Sequence, residues 1–195
     1  MIYNLNEVNE KELKEFLDTS LEELKEFYKL GEFQTPNLFI LKDRKTIDQL
    51  KGKKTEDWLV GWSVPELNSI FVLEKSKFGT ESKKVYSDNM YNKLLKHELV
   101  HIIYHKISKN RKPVWLSEGI AIYLSGQYLK KTRPEKFKNF LNFYNEGGSE
   151  VYEESGFAVE LLINKFGKEK LLTLIKSLNG IESDKEFLKK YTKLS

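Results

Sequence analysis

His97-Glu98-Leu99-Val100-His101 sets two imidazoles four residues apart with a carboxylate beside the first. On an α-helix, residues i and i+4 lie on one face about 6 Å apart along the axis, so both rings can reach one ion while Glu98 stands next to it. A glutamate so placed can hydrogen-bond a metal-bound water without becoming a ligand, as metal-assisted hydrolysis requires. A lone histidine is more often an ordinary core or surface residue. With three histidines in 195 residues, however, the number of such matches expected by chance is roughly 0.005. Met90, Leu94, Leu95, Ile102 and Ile103 flank the pattern and predict a buried helix.

A catalytic zinc commonly takes three protein ligands and keeps one position open, so a third ligand is sought downstream. His105 is eight residues from His97, about 12 Å along the same helix, and cannot converge on the same ion. Glu118 is the better candidate. It lies in Trp115-Leu116-Ser117-Glu118-Gly119-Ile120-Ala121, one turn into an apolar helix after Pro113, where a carboxylate needs a neutralising partner. The segment 106–114 is long enough for this second helix to fold back antiparallel and present Glu118 to the histidines. The competing reading is an exposed first-turn glutamate favoured by the helix dipole.

The elements that must hold these residues follow from periodicity and punctuation. Residues 8–30 carry Leu13, Phe16, Leu17, Leu21, Leu24, Phe27 and Tyr28 on a helical stripe ended by Gly31. Leu38-Phe39-Ile40-Leu41, between Pro36 and Asp43, reads as a buried strand, and 46–50 as one or two helical turns. Residues 58–64 and 69–73 are expected to form a hairpin across Pro65-Glu66-Leu67-Asn68, and 75–84 a loop. Helices are predicted over 87–108, 115–127, 134–144, 151–166, 168–178 and 184–191. The fold class expected is therefore α+β: a small antiparallel or mixed sheet in the N-terminal half packed on a mostly helical C-terminal half. One domain spans 1–195, with an α/β lobe at 1–86 and a helical lobe at 87–195 carrying both motifs.

Composition removes several alternatives. There is no cysteine, hence no disulfide, thiolate ligand or thiol nucleophile. The net charge of +4 arises from 33 basic and 29 acidic residues interspersed along the chain, which argues against a nucleic-acid partner. No signal peptide or membrane-spanning run is evident, so the chain as written is expected to be cytoplasmic with no membrane partner. A secreted protein trimmed of its signal would look the same.

His97-Glu98-x-x-His101 followed by Trp115-Leu116-Ser117-Glu118-Gly119-Ile120-Ala121 resembles the gluzincin zinc metallopeptidases, in particular the peptidase MA-like group with its W-L-x-E-G-x-A motif. Related aminopeptidases have asparagine where Ser117 stands. The similarity extends from about Trp58 to the C-terminus, with only the two metal motifs specific. It implies a zincin-like fold, one zinc ion per chain held by His97, His101 and Glu118, and a peptide or protein substrate. It also implies an edge strand above the active-site helix, supplied by Val60-Gly61-Trp62-Ser63-Val64 or by Ser69-Ile70-Phe71-Val72. Gly61 would let a peptide approach closely, or mark an ordinary strand bend. Tyr152 is the candidate for stabilising the oxyanion, with Tyr123 and Tyr144 as weaker alternatives. Many gluzincins carry an aspartate four residues after the glutamate ligand; here that residue is Ile122. No signature for anchoring a free amino terminus is present, which favours an endopeptidase with Glu98 as general base. The alternative is a non-catalytic zinc-containing binding or regulatory module.

Overall fold

Leu13, Leu17, Leu21, Leu24 and Tyr28 recur at helical spacing, and in the computed structural model they form one stripe of helix α1 (Lys11–Tyr28). The structure describes residues 10–137, 150–181 and 186, and the chain divides into two compact units, Met1–Thr35 and Pro36–Ser195. Within the first unit α1 ends at Lys29, which adopts the left-handed conformation at φ 53°. The helix thus stops before Gly31. Asp18 receives hydrogen bonds from Lys14 and Thr35, both at 2.7 Å, fastening the segment that follows the helix.

The second unit is built on three strands, β1 (Asn37–Leu41), β2 (Gly61–Val64) and β3 (Ser69–Leu73), in the order β1-β3-β2. β3 runs parallel to β1 and antiparallel to β2, so the sheet is mixed. The parallel pair needs a crossover, and it includes helix α2 (Arg44–Lys51), whose N-terminus is capped by Asp43 accepting from the Thr46 amide at 2.8 Å. The expected hairpin is present: a single 3-10 turn, Pro65–Leu67, joins β2 to β3, with Asn68 left-handed at φ 44°. Alternation along β3 separates two faces. Ile70 and Val72 are fully buried on one, while Phe71 on the other stacks between Phe39 and Trp62 with ring centroids 4.8 and 5.0 Å away.

Residues 75–84 are not simply a loop. A 3-10 turn, Lys75–Lys77, leads into the short helix α3 (Phe78–Glu81). The reason is Phe78, which is fully buried edge-on to Tyr86 and Tyr91 and so pins a polar segment. Ser87 then caps α4 (Asp88–Ser108), accepting from the Met90 amide. Its buried residues lie all around the axis, including Tyr91, Leu95, Leu99, Val100, Ile102, Ile103 and Tyr104, the pattern of a helix surrounded by protein. α4 packs against β2, β3, α5 (Val114–Leu124) and a C-terminal helix Lys168–Lys176.

Beyond α5 lies a 3-10 turn, Gln127–Lys130, so the helix expected to reach residue 127 stops at Leu124. Two further helices follow, α6 (Glu150–Phe166) and α7 (Lys168–Lys176). Of the helix expected over 134–144, residues 134–137 are irregular and the rest, with Tyr144, lies outside the described residues. So does all of the helix expected over 184–191 except residue 186. α5 and α6 form the most extensive helix contact, and its closeness depends on Gly119. A Cβ there would stand 2.7 Å from the Ser155 carbonyl oxygen. The described part of the fold is α+β, and no described helix is long and apolar enough to cross a membrane.

Candidate metal centre

His97 and His101 lie on the buried middle of α4, four residues and hence one turn apart, with 8% and 9% of their surface exposed. Their Nε2 atoms are 3.0 Å apart. α5 reaches them because the chain turns back sharply after α4. Lys109 takes a left-handed conformation, and Asn110 bonds both the Leu178 carbonyl at 2.8 Å and the Lys112 amide at 2.6 Å. Glu118, in the second turn of α5, comes 3.4 Å from His97 Nε2 and 3.5 Å from His101 Nε2. One donor atom from each residue lies within 4.8 Å of the others, so His97, His101 and Glu118 form a group able to hold a metal ion.

Electrostatics favour a positive charge at this point. Burial alone would raise the Glu118 carboxyl, yet His101 and then His97 outweigh burial and hold it well below the usual carboxylate range. Burial likewise pulls His101 down, and the charge and hydrogen bond of Glu118 reverse the effect, leaving it above the ordinary histidine value. A cation bound between them would satisfy the same carboxylate.

The two imidazoles are supported unequally. His101 Nδ1 lies 3.2 Å from the Ser117 hydroxyl. If Nδ1 carries the proton and donates it to Ser117, Nε2 presents a lone pair toward the cluster. His97 Nδ1 is buried and has no hydrogen-bond partner among the described residues. The fourth residue after Glu118, Ile122, is apolar and buried. Ser117 is the supporting residue that sequence reasoning missed. Its only signal was the departure from asparagine immediately before the glutamate.

Glu98 is buried beside the two histidines, with 7% of its surface exposed. Tyr152, in the first turn of α6, is half-buried. Burial, and after it the charges of Glu118 and Glu98, push its phenol up to about 12, so it keeps its proton at neutral pH. Gly119 is what lets α6 approach, since Glu118 and Gly119 are neighbours on α5 while Ser155 lies one turn after Tyr152. Tyr123 faces elsewhere, raised by burial and by Glu160, with its ring 5.3 Å from Tyr128. His105 is outside the cluster, 3.4 Å from Glu66.

Of the two strands expected to border the cleft, β3 is paired on both sides and β2 has a free edge among the described residues. The Val60 carbonyl accepts from the Leu73 amide at 2.8 Å, so by antiparallel alternation the backbone groups of Gly61 and Ser63 point to that free edge. The Ser63 carbonyl accepts from Arg111 at 3.0 Å. A Cβ on Gly61 would lie 3.5 Å from Leu94 of α4 and 3.2 Å from the Phe71 carbonyl oxygen. Gly61 therefore serves the contact of strand with helix.

Compared with known proteins, the chain matches no family model, no curated protein and no solved structure.

Proposed function

We propose that the protein is a zinc-dependent peptidase of gluzincin type, with His97, His101 and Glu118 as metal ligands and Glu98 as general base. The observation that carries this reading is the convergence of the three donor groups from two buried helices, with Glu98 on the same helix as both histidines. Two imidazole nitrogens and a carboxylate oxygen suit zinc, which binds such ligands at about 2.0–2.2 Å. Tetrahedral coordination at those lengths separates donors by about 3.3 Å. The distances of 3.0, 3.4 and 3.5 Å among the Nε2 and carboxylate atoms agree with this to a few tenths of an ångström.

Bound there, zinc polarises a carbonyl and lowers the pKa of a water. The remaining work belongs to the chain's own residues. Glu98 accepts the proton of the attacking water and returns it to the departing amine. Tyr152, still protonated at neutral pH, supplies a hydrogen bond to the oxyanion as it forms. The outward backbone groups of Gly61 on β2 are available to align an extended peptide by strand addition. Ser117 orients His101.

The test is zinc content together with hydrolysis of a mixed peptide library by the purified chain and by Glu98→Gln. The expected result is one zinc per chain in both proteins, with cleavage by the parent and a loss of at least about 100-fold in the variant. Equal cleavage by the two would refute the assignment of the base. Zinc binding without any cleavage would favour a non-catalytic module.

A further inference from the structure

Three cations border the candidate centre, and none of them forms an ion pair among the described residues. Lys51, the last residue of α2, places its ammonium 3.9 Å from the centre of the Trp62 ring. Arg111, in the turn between α4 and α5, bonds the outward carbonyl of Ser63. Trp62 and Ser63 are consecutive on β2, so two positive groups are anchored side by side at the strand's free edge. Their charges act on each other, with Lys51 also within electrostatic reach of Glu98 and Arg111 of His101. Lys84, from the segment preceding α4, is likewise within electrostatic reach of Glu98.

This arrangement runs against ordinary surface practice, in which neighbouring like charges are interleaved with carboxylates. Elsewhere the chain follows that practice: Lys14 with Asp18, Lys25 with Glu22 and Lys131 with Glu153. The carboxylate that acts on Lys51 and Lys84 is Glu98, which under the proposed reading is committed to the attacking water. Lys51 and Lys84 are exposed as residues, yet the protein around their ammonium groups lowers both from the usual lysine value. Crowded cations without a counter-charge favour an incoming anion. Arg111 is suited to this because one of its amino groups is spent on Ser63 while its other donors carry no bond among the described residues.

We infer that Lys51 and Arg111 form a carboxylate-recognising rim at the free edge of β2, and that the chain selects peptides bearing a carboxylate close to the bond at the metal centre. The inference rests on the peptidase reading for its functional meaning. The carboxylate has two sources, an acidic side chain or a free C-terminus. Trp62, held by Lys51 on one side and stacked on Phe71 on the other, keeps the ammonium at the edge instead of free in solvent.

The experiment is calorimetric binding of acetylated pentaalanine peptides to the full chain stripped of metal, where neither turnover nor ligation of the carboxylate by an ion contributes. One peptide is amidated and neutral, a second is amidated with a central aspartate, and a third is all alanine with a free, ionised C-terminus. At least one carboxylate-bearing peptide is expected to bind about tenfold tighter than the neutral one, with the advantage shrinking as salt rises. The aspartate and free-terminus arms identify the source. Lys51→Ala and Arg111→Ala should each reduce the advantage to below about threefold. Equal binding of all three peptides, no measurable binding of any, or an advantage unchanged in every variant would overturn the rim. Cleavage by the zinc-loaded chain separates the two readings: hydrolysis without carboxylate preference removes the rim alone, and selective binding without hydrolysis removes the peptidase alone.

Discussion

Two glycine-mediated joints of different stiffness tie α4 and α5, which carry the candidate centre, to their neighbours. At the α5–α6 joint, a Cβ on Gly119 would meet the Ser155 carbonyl oxygen at 2.7 Å, the Ser155 carbonyl carbon at 3.0 Å and Val159 Cγ2 at 2.9 Å. At the β2–α4 joint, a Cβ on Gly61 would meet the Phe71 carbonyl oxygen at 3.2 Å and the end of the Leu94 side chain at 3.5 Å. The first joint presses backbone against backbone and admits nothing. The second leaves ordinary contact to Leu94 and asks only a few tenths of an ångström of one carbonyl. Glu118 and the phenol of Tyr152 depend on the stiff joint; the strand edge depends on the compliant one. Under the proposed peptidase reading, fixed donors beside a more adjustable strand edge suit a site that keeps its chemistry while accepting varied chains.

The comparison breaks most visibly at Gly119. Gly119→Ala forces α6 away from α5, and overpacking of this kind costs about 2–3 kcal/mol. In a chain of this size that lowers Tm by about 4–12 °C. The same displacement moves Tyr152 from the centre, so the residual folded fraction should lose hydrolysis out of proportion to its loss of stability. Thermal melts and activity per folded molecule check both parts. An unchanged Tm would mean that the helices are not locked by this contact.

Within the stiff joint, a proposed ligand can be removed without overpacking. Glu118→Gln keeps the side-chain volume and deletes the charge that His97 and His101 share. Zinc affinity should fall by more than about 100-fold, beyond the usual effect of losing a group that merely orients a ligand. Competition against a chelator of known affinity measures it. Ser117→Ala tests such an orienting group: loss of the hydroxyl 3.2 Å from His101 Nδ1 should weaken zinc by about 10–100-fold. If Ser117→Ala leaves the affinity unchanged, His101 is oriented by packing alone and resembles His97, whose Nδ1 has no partner among the described residues.

The stiff joint was also the more legible of the two, though unevenly. His97, Glu98 and His101 declare themselves because a helix converts a spacing of four into a shared face, a local rule that needs no knowledge of the rest of the fold. Glu118 was visible as a carboxylate in an apolar helix. The reason for Gly119 was not visible, because it lies in the Ser155 carbonyl, 36 residues away in sequence. Ser117 and Arg111 were hidden for the same reason: each acts on a partner brought near by the turn at Lys109 to Lys112. At the strand joint, periodicity found β2 and β3 but could not tell which was the edge. That depended on β1 pairing parallel with β3, a long-range choice that alternation does not encode.

The smallest effect is expected at Gly61. Its Cβ direction is set by the register Gly61↔Val72, which turns it toward α4 and at right angles to the free edge. Leu94 at 3.5 Å would be in ordinary contact, so only the Phe71 carbonyl at 3.2 Å has to give by a few tenths of an ångström, and alanine reduces the freedom of the unfolded chain. Gly61→Ala should therefore shift stability by less than about 1 kcal/mol, or roughly 2–4 °C in Tm. Because the added methyl faces the helix, the outward N–H and C=O of residue 61 stay available, and kcat/KM for a peptide should change by less than about threefold. If Gly61→Ala raised KM by an order of magnitude at unchanged Tm, the glycine would be serving the peptide and not the helix, and the two joints would have to be regarded as equally exacting.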